Sequence, residues 1–333
     1  MNTVNSKRTF KSDQQGLTLV ELMISLVISL AIGLAAATAY LTSRSTSNAV
    51  SSISQINETA KLTLDMIGRE IQMAGFYPAI VPNSAGNATY MGEYINTKNT
   101  ALAAYNQGVF GCDQGRFNPT SGTCSAATAG QADSIVLNYF SVVELDSTNT
   151  FSSGFDCLRQ NVANDPTNTI LIAAGRPRLV SNRFGLVDTN YSVQGPNNTT
   201  RLIATRSLGC NGNGVAVENN TYQPIFEGLA DMSFRYGVND GVNNQSPTRF
   251  FTAAQVSALA AAAGKTGWQR VSAVHICIVA RTLDNSRTVD AANANKTYED
   301  CRGNVVTYAA NDRTTFKRFD RIVAVRNNLN GVY

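Results

Sequence analysis

From Leu22 to Ser43 the chain runs 22 residues without a charged side chain. At about 1.5 Å per residue, a helix of that length spans roughly 33 Å, enough to cross the hydrocarbon core of a bilayer. The apolar run begins at Leu17, ends at Leu41 and admits one charge, Glu21. Ahead of it, residues 1–16 are polar and carry Lys7, Arg8 and Lys11 against Asp13. That basic flank predicts an amino terminus on the cytoplasmic side. The run is a membrane segment.

An ordinary secretory signal is one reading, since Ala35–Ala37 and Ala37–Ala39 each offer an A-x-A cleavage site. The apolar run, however, exceeds the usual h-region of about 7–15 residues and carries a carboxylate near its start. A plain single-pass anchor is a second reading and leaves Glu21 unexplained, because a carboxylate at membrane depth costs about 2.5–3.5 kcal/mol or more. The string Gln15-Gly16-Leu17-Thr18-Leu19-Val20-Glu21-Leu22 resembles the prepilin signal of type IV pilins and type II secretion pseudopilins. In that family a peptidase at the cytoplasmic face cuts after the glycine and methylates the new amino terminus. The resemblance implies cleavage between Gly16 and Leu17, N-methylation of Leu17, and Glu21 as the fifth mature residue. Most family members begin with Phe; Leu17 departs from that. Cutting there creates a cation at Leu17 one helical turn from Glu21. In a bundle of packed helices, Glu21 of one subunit could pair with a neighbour's amine in a low-dielectric setting.

Past the membrane segment, Ile53, Ile56, Ala60, Leu64, Ile67, Ile71 and Ala74 recur at spacings of three and four, which predicts one apolar face on a continuing helix. Gly75 suits a C′ position and Pro78 a stop. A helix from Leu17 to Ala74 would be roughly 87 Å long. Residues 79–132, rich in Gly, Asn, Ala and Thr, read as an irregular excursion. Strands are expected at Ser134–Leu145, Thr169–Ala173, Arg201–Thr205, Leu229–Val238, Val271–Thr282 and Thr315–Val325. Thr252 and Gln255 stand in capping-box spacing before an Ala-rich helix that Gly264 ends. The soluble part is therefore expected to be α+β with a mainly antiparallel sheet.

Gly68-Arg69-Glu70-Ile71-Gln72-Met73-Ala74-Gly75-Phe76 resembles the helix-ending motif of PilW-type minor pilins. Phe226-Glu227-Gly228-Leu229 through Phe234-Arg235-Tyr236-Gly237 is similar to that family's central strand. Trp268 with Val271–Ile278, and Ile322–Asn327, fit its last two strands. The resemblance implies a type IV pilin-like fold: a long amino-terminal helix packed on an antiparallel sheet with disulfide-bonded loops. Its expected parts are a leader peptide at 1–16, a transmembrane and filament-core helix at 17–43, an amphipathic continuation at 44–75 and a periplasmic globular head at 76–333.

Composition limits the chemistry. Only 15% of residues are charged, the net charge is +4, and 43% are hydrophobic, so a real core is expected and a nucleic-acid binder is not. His275 is the only histidine, which removes most metal and acid–base sites. It shares a strand face with Cys277, the one foothold for a cysteine nucleophile, yet both lie in a run that reads as buried core. The cysteines Cys112, Cys124, Cys157, Cys210, Cys277 and Cys301 allow 15 pairings. The simplest scheme joins neighbours: Cys112–Cys124, Cys157–Cys210 and Cys277–Cys301. No C-x-x-C spacing supports zinc. Gly264-Lys265-Thr266 echoes a phosphate loop, but Leu259 stands where its first glycine should be. Gly209, Gly212 and Gly214 open no helix, and Asp231 and Asp240 lie in no EF-hand loop. Arg313, Lys317, Arg318, Arg321 and Arg326 alternate with apolar residues, as in a strand with mixed faces.

The expectation is a non-enzymatic minor pilin without cofactor or metal. The resemblance implies that it primes type IV pilus assembly, with motility, adhesion or DNA uptake as consequences. The implied partners are the prepilin peptidase, other minor pilins, the major pilin and a tip adhesin. The implied location is the inner membrane, single pass, and then the pilus tip. Two alternatives stay open: a type II secretion pseudopilin, and a secreted disulfide-bonded enzyme or binding module with a conventional signal peptide.

Overall fold

In the computed structural model of the chain, the described residues are 18–76, 81–82, 88–89, 107–119, 121–140, 144–145, 151–152, 154–162, 179–194, 199–214, 221–240, 246–262, 264–283, 297–307 and 314–328. Gly16, Leu17 and the expected strand Thr169–Ala173 lie outside them. Helix α1 runs from Leu19 to Met73. Two compact units divide the chain, one ending at Ser51 and one beginning at Ser52.

The first unit is the apolar part of α1, where every described residue from Thr18 to Arg44 is exposed. In the second unit, the rest of α1 packs on a sheet built from β1 (Val109–Cys112), β2 (Ser134–Phe140), β3 (Leu179–Gln194), β4 (Thr200–Asn211), β5 (Gln223–Val238), β6 (Arg249–Phe251), β7 (Val271–Arg281) and β8 (Phe316–Ala324). The order across the sheet is β8-β7-β5-β4-β3-β2-β1, with β6 added to β5. Every pairing is antiparallel, in keeping with the α+β expectation.

The stripe Ile56, Ala60, Leu64, Ile67, Ile71 and Ala74 forms one core with Leu137, Phe184, Leu208, Phe234, Ile276 and Val323. It reaches strands from β2 to β8, so α1 is the element that the sheet wraps. The other face of β7 meets a second small core of Cys277, Val279 and Cys301, with Tyr298 and Phe316 against it. Burial on both faces explains the unbroken apolar run Ile276–Ala280.

The end of α1 is fixed by tertiary contacts. Gly75 takes φ 74°, a left-handed C′ conformation. A Cβ on Gly108 would lie 2.5 Å from the Gly75 Cα, so the two backbones touch. The Asn327 amide donates to the carbonyls of Gln72, Met73 and Ala74 at 3.2, 3.2 and 3.1 Å, covering acceptors that a helix end leaves open.

Several expectations need correction. Ile53 is exposed, because the Lys317 ammonium at the start of β8 is level with Asn57, and Ile53 lies a turn beyond the sheet. The excursion 79–132 contains β1 and a short pair, Phe117–Asn118 with Thr123–Cys124. The strand begun at Ser134 ends at Phe140, and Glu144–Leu145 belongs to a separate two-strand pair. Strand β4 extends from Thr200 to Asn211 rather than 201–205, and β5 starts at Gln223. Helix α2 spans only Ala253–Ser257, although the Thr252–Gln255 capping box is present. It stops because the Trp268–Arg270 turn holds the next residues: the Trp268 indole donates to Ser257 Oγ and the Arg270 guanidinium to the Ala260 carbonyl. Strand β3 was not expected at all.

The structure joins Cys112–Cys124, Cys157–Cys210 and Cys277–Cys301, with Cα separations of 5.6, 6.4 and 5.6 Å. These separations suit a disulfide. The links span 12, 53 and 24 residues, and closing such loops contributes about 3–4 kcal/mol each in the chain-entropy account. His275 does not face a thiol: its Nε2 lies 3.0 Å from Asp320 Oδ1, and it is half-buried rather than core.

Candidate functional site

The residues that constrain function most are at the start of α1. The Thr18 hydroxyl accepts the Glu21 N–H at 3.3 Å, while Glu21 Oε2 accepts the Thr18 N–H at 3.4 Å and its O–H at 3.3 Å. Two orphan donors of the helix start are thus satisfied reciprocally. The carboxylate is folded back on the helix start, where its charge also complements the positive end of the helix dipole.

Beyond Glu21 the surface is hydrocarbon. Leu19, Val20, Leu22, Met23, Ile24, Leu26, Val27 and Ile28 are each more than half exposed. Burying one such side chain fully is worth about 1.5–3 kcal/mol, so a row of them in water is untenable. The helix reaches a mean hydropathy of 2.4 and is long and apolar enough to cross a membrane. Its hydroxyls are turned inward on the backbone: Ser25 donates to the Leu22 carbonyl at 2.9 Å, Ser29 to Ser25 at 2.7 Å and Thr38 to Ala35 at 2.9 Å. Satisfied in this way, they enter an apolar environment at little cost. Glu21 is the one group in the segment that an apolar environment opposes.

Sequence reasoning singled out Glu21 but missed its local partner, although the spacing Thr18-Leu19-Val20-Glu21 carries the capping signal. It also missed a polar cluster under α1. Glu70 Oε2 accepts the Asn182 amide at 2.8 Å, and the same amide reaches the Tyr139 hydroxyl at 3.4 Å. Asn182 Oδ1 accepts the Cys157 N–H at 2.9 Å, linking α1 through β3 to the loop held by Cys157–Cys210. Burial raises the Glu70 carboxyl above its usual range, against the lowering effect of those hydrogen bonds. Burial likewise raises Asp133, which accepts N–H groups of Gln114 and Phe234 and pairs with Arg302 at 2.7 Å. These groups hold elements together. Among the described residues no group of three or more His, Cys, Asp or Glu could hold a metal.

Residues 190–327 match the family described as Type IV Pilus-assembly protein W. Residues 11–37 match the prokaryotic N-terminal methylation motif, a span that contains Gly16, Leu17 and Glu21. The structure is similar to a type IV-like pilin from Thermus thermophilus at TM-score 0.33 and 11% identity, covering 82% of this chain and 96% of that one. No curated protein matches the sequence. A methylation motif opens an exposed apolar helix whose second part packs on an antiparallel sheet, the arrangement of a pilin-like protein. The match over β4 to β8 and the methylation motif support a minor pilin of the PilW type, a structural pilus component anchored by its apolar helix.

Proposed function

We propose that this minor pilin primes pilus assembly and performs no catalysis. In this reading the prepilin peptidase cuts between Gly16 and Leu17 and methylates Leu17. The helix 17–43 is held in the inner membrane with the leader cytoplasmic, the segment 44–75 continues it, and the head 76–333 is periplasmic. Extraction moves the apolar helix from lipid into a bundle with other minor pilins and the major pilin, and the subunit ends at the pilus tip, where a tip adhesin is a further partner.

The observation that carries this is the exposed apolar helix with a single carboxylate at its start. Lipid shields the hydrocarbon but leaves Glu21 opposed. A helix bundle shields the hydrocarbon and also supplies a cation, the Leu17 amine of a neighbour. Removing one partner of such a buried pair costs about 3–5 kcal/mol.

Glu21→Ala tests this. Membrane residence and cleavage should persist, since the substitution makes the helix more apolar and leaves Gly16 intact, while incorporation into pili should fail. A Glu21→Ala chain that enters pili at the normal level refutes the role given to the carboxylate. Deletion should abolish twitching; loss of exoprotein secretion instead would identify a pseudopilin.

A further inference from the structure

Strand β4 pairs with β3 along its whole length, from Thr200 opposite Gln194 to Asn211 opposite Arg183. On its other side β5 pairs with it only between Arg206–Leu229 and Cys210–Gln223. Beyond Arg206 the two strands part. Residues Arg201–Thr205 therefore present alternate N–H and C=O groups to which no strand is paired among the described residues. Two features hold the fork open. Gly228 takes φ 85° just before the parting, and the Arg206 guanidinium bridges it by donating to Ala230 O and Gly130 O, both at 3.2 Å.

A slot of about 480 Å³ opens there, with Ala204 and Thr205 on one side, Leu229 on the other and Arg281, Tyr298 and Phe316 beyond; Asp188, which also lines it, is paired with Arg206 at 3.2 Å. Tyr298 and Phe316 stack at 4.2 Å and 1° into a flat apolar wall. The Arg281 guanidinium lies 5.7 Å from the Phe316 ring, and its Nε is buried without an acceptor. Among the described residues no carboxylate pairs with it.

The outer edge of the sheet differs. Strand β8 carries Lys317, Arg318 and Arg321, and these charges are engaged: Arg318 by Asp320 and Glu299, Arg321 by Asp65, and Lys317 by Asn57. Charged side chains are the usual guard against strand addition. On the open edge only Arg201, at its far end, is charged; Leu202-Ile203-Ala204-Thr205 carries no charge, and Leu202 is 64% exposed.

An unpaired ladder edge, an apolar wall and a cation lacking an acceptor specify an extended chain bearing a carboxylate. We propose that an acidic segment of another subunit adds as a strand to Arg201–Thr205 of β4, with its carboxylate on Arg281. This rests on the pilin reading for the presence of neighbouring subunits.

The test places a photo-activatable benzophenone residue at Ala204 of the full chain in cells, with crosslinks scored separately in membranes and sheared pili. The expected product joins position 204 to one acidic extended segment of another subunit. Arg281→Glu should lower its yield at least tenfold and Arg281→Lys should retain most of it, with the three disulfides checked on non-reducing gels. Arg281→Gln replaces the Glu variant if those disulfides are lost. No crosslink in either fraction, a crosslink to a segment without acidic residues, or a yield indifferent to Arg281 overturns the proposal. A subunit that crosslinks in membranes but never reaches pili supports the strand addition and refutes the pilus reading instead.

Discussion

Asn327 holds the end of α1, and its removal has a calculable consequence. One side-chain amide carries two hydrogens, so it can satisfy at most two of the three carbonyls within reach at Gln72, Met73 and Ala74 at one time. Each net hydrogen bond is worth about 0.5–1.5 kcal/mol. The contact at Met73 is exposed, where water replaces the donor readily, and those at Gln72 and Ala74 are partly buried. Asn327→Ala should therefore destabilise the head by about 1–2 kcal/mol. Asn327→Asp should cost more, because it sets a carboxylate against carbonyl oxygens at the negative end of the helix dipole. The assay is urea unfolding of the detergent-solubilised chain with disulfides intact, which should rank wild type above Ala and Ala above Asp. A loss under about 0.5 kcal/mol for Ala, or Asp as stable as wild type, refutes the cap, since that sits at the bottom of the range for a single bond.

Two further outcomes follow from the polar contacts of the head. Folding raises the Glu70 carboxyl, so the folded state holds that proton more tightly; the stability this group contributes is full below its unfolded-state value and is lost as the pH rises through the folded value. Asp133 shifts in the same direction, so Glu70→Gln should flatten part of the slope of urea midpoint against pH and Glu70→Gln with Asp133→Asn more of it; an unchanged slope in both contradicts the assignment. The Asp113 carboxylate accepts the first two N–H groups of α2, from Ala253 at 2.9 Å and Ala254 at 2.8 Å, so Asp113→Ala should cost about 1–2 kcal/mol in the same assay, and a neutral result would show that the Thr252 cap suffices alone.

Local patterns in the sequence carried the helix and missed the strand at its heart. The stripe from Ile56 to Ala74 is legible because one face meets a continuous core, and Val271–Arg281 because both of its faces do. Strand β3 is not legible, since Ser181, Asn182, Arg183 and Gly185 interrupt its apolar alternation. Two of its buried polar side chains pair with residues distant in sequence: Asn182 with Glu70, and Arg183 with Asn211 at 2.7 Å. Buried polar residues with remote partners look like loop in a single chain. For the same reason the contacts of Asn327 and Glu70 are not legible, although both residues lie in motifs that are, whereas Glu21 stands out as a lone charge in hydrocarbon. The short α2 shows the converse error: an Ala-rich stretch favours helix until Trp268 and Arg270 fold back on it.

The account turns on what happens at Gly16, and intact-mass analysis of the chain purified from cell membranes addresses it directly. The account predicts a mature chain that begins at Leu17 and carries one added methyl group, with a Gly16 substitution to a larger residue leaving the full-length precursor. A chain that begins at Tyr40 or later, or normal maturation of the Gly16 variant, would contradict it.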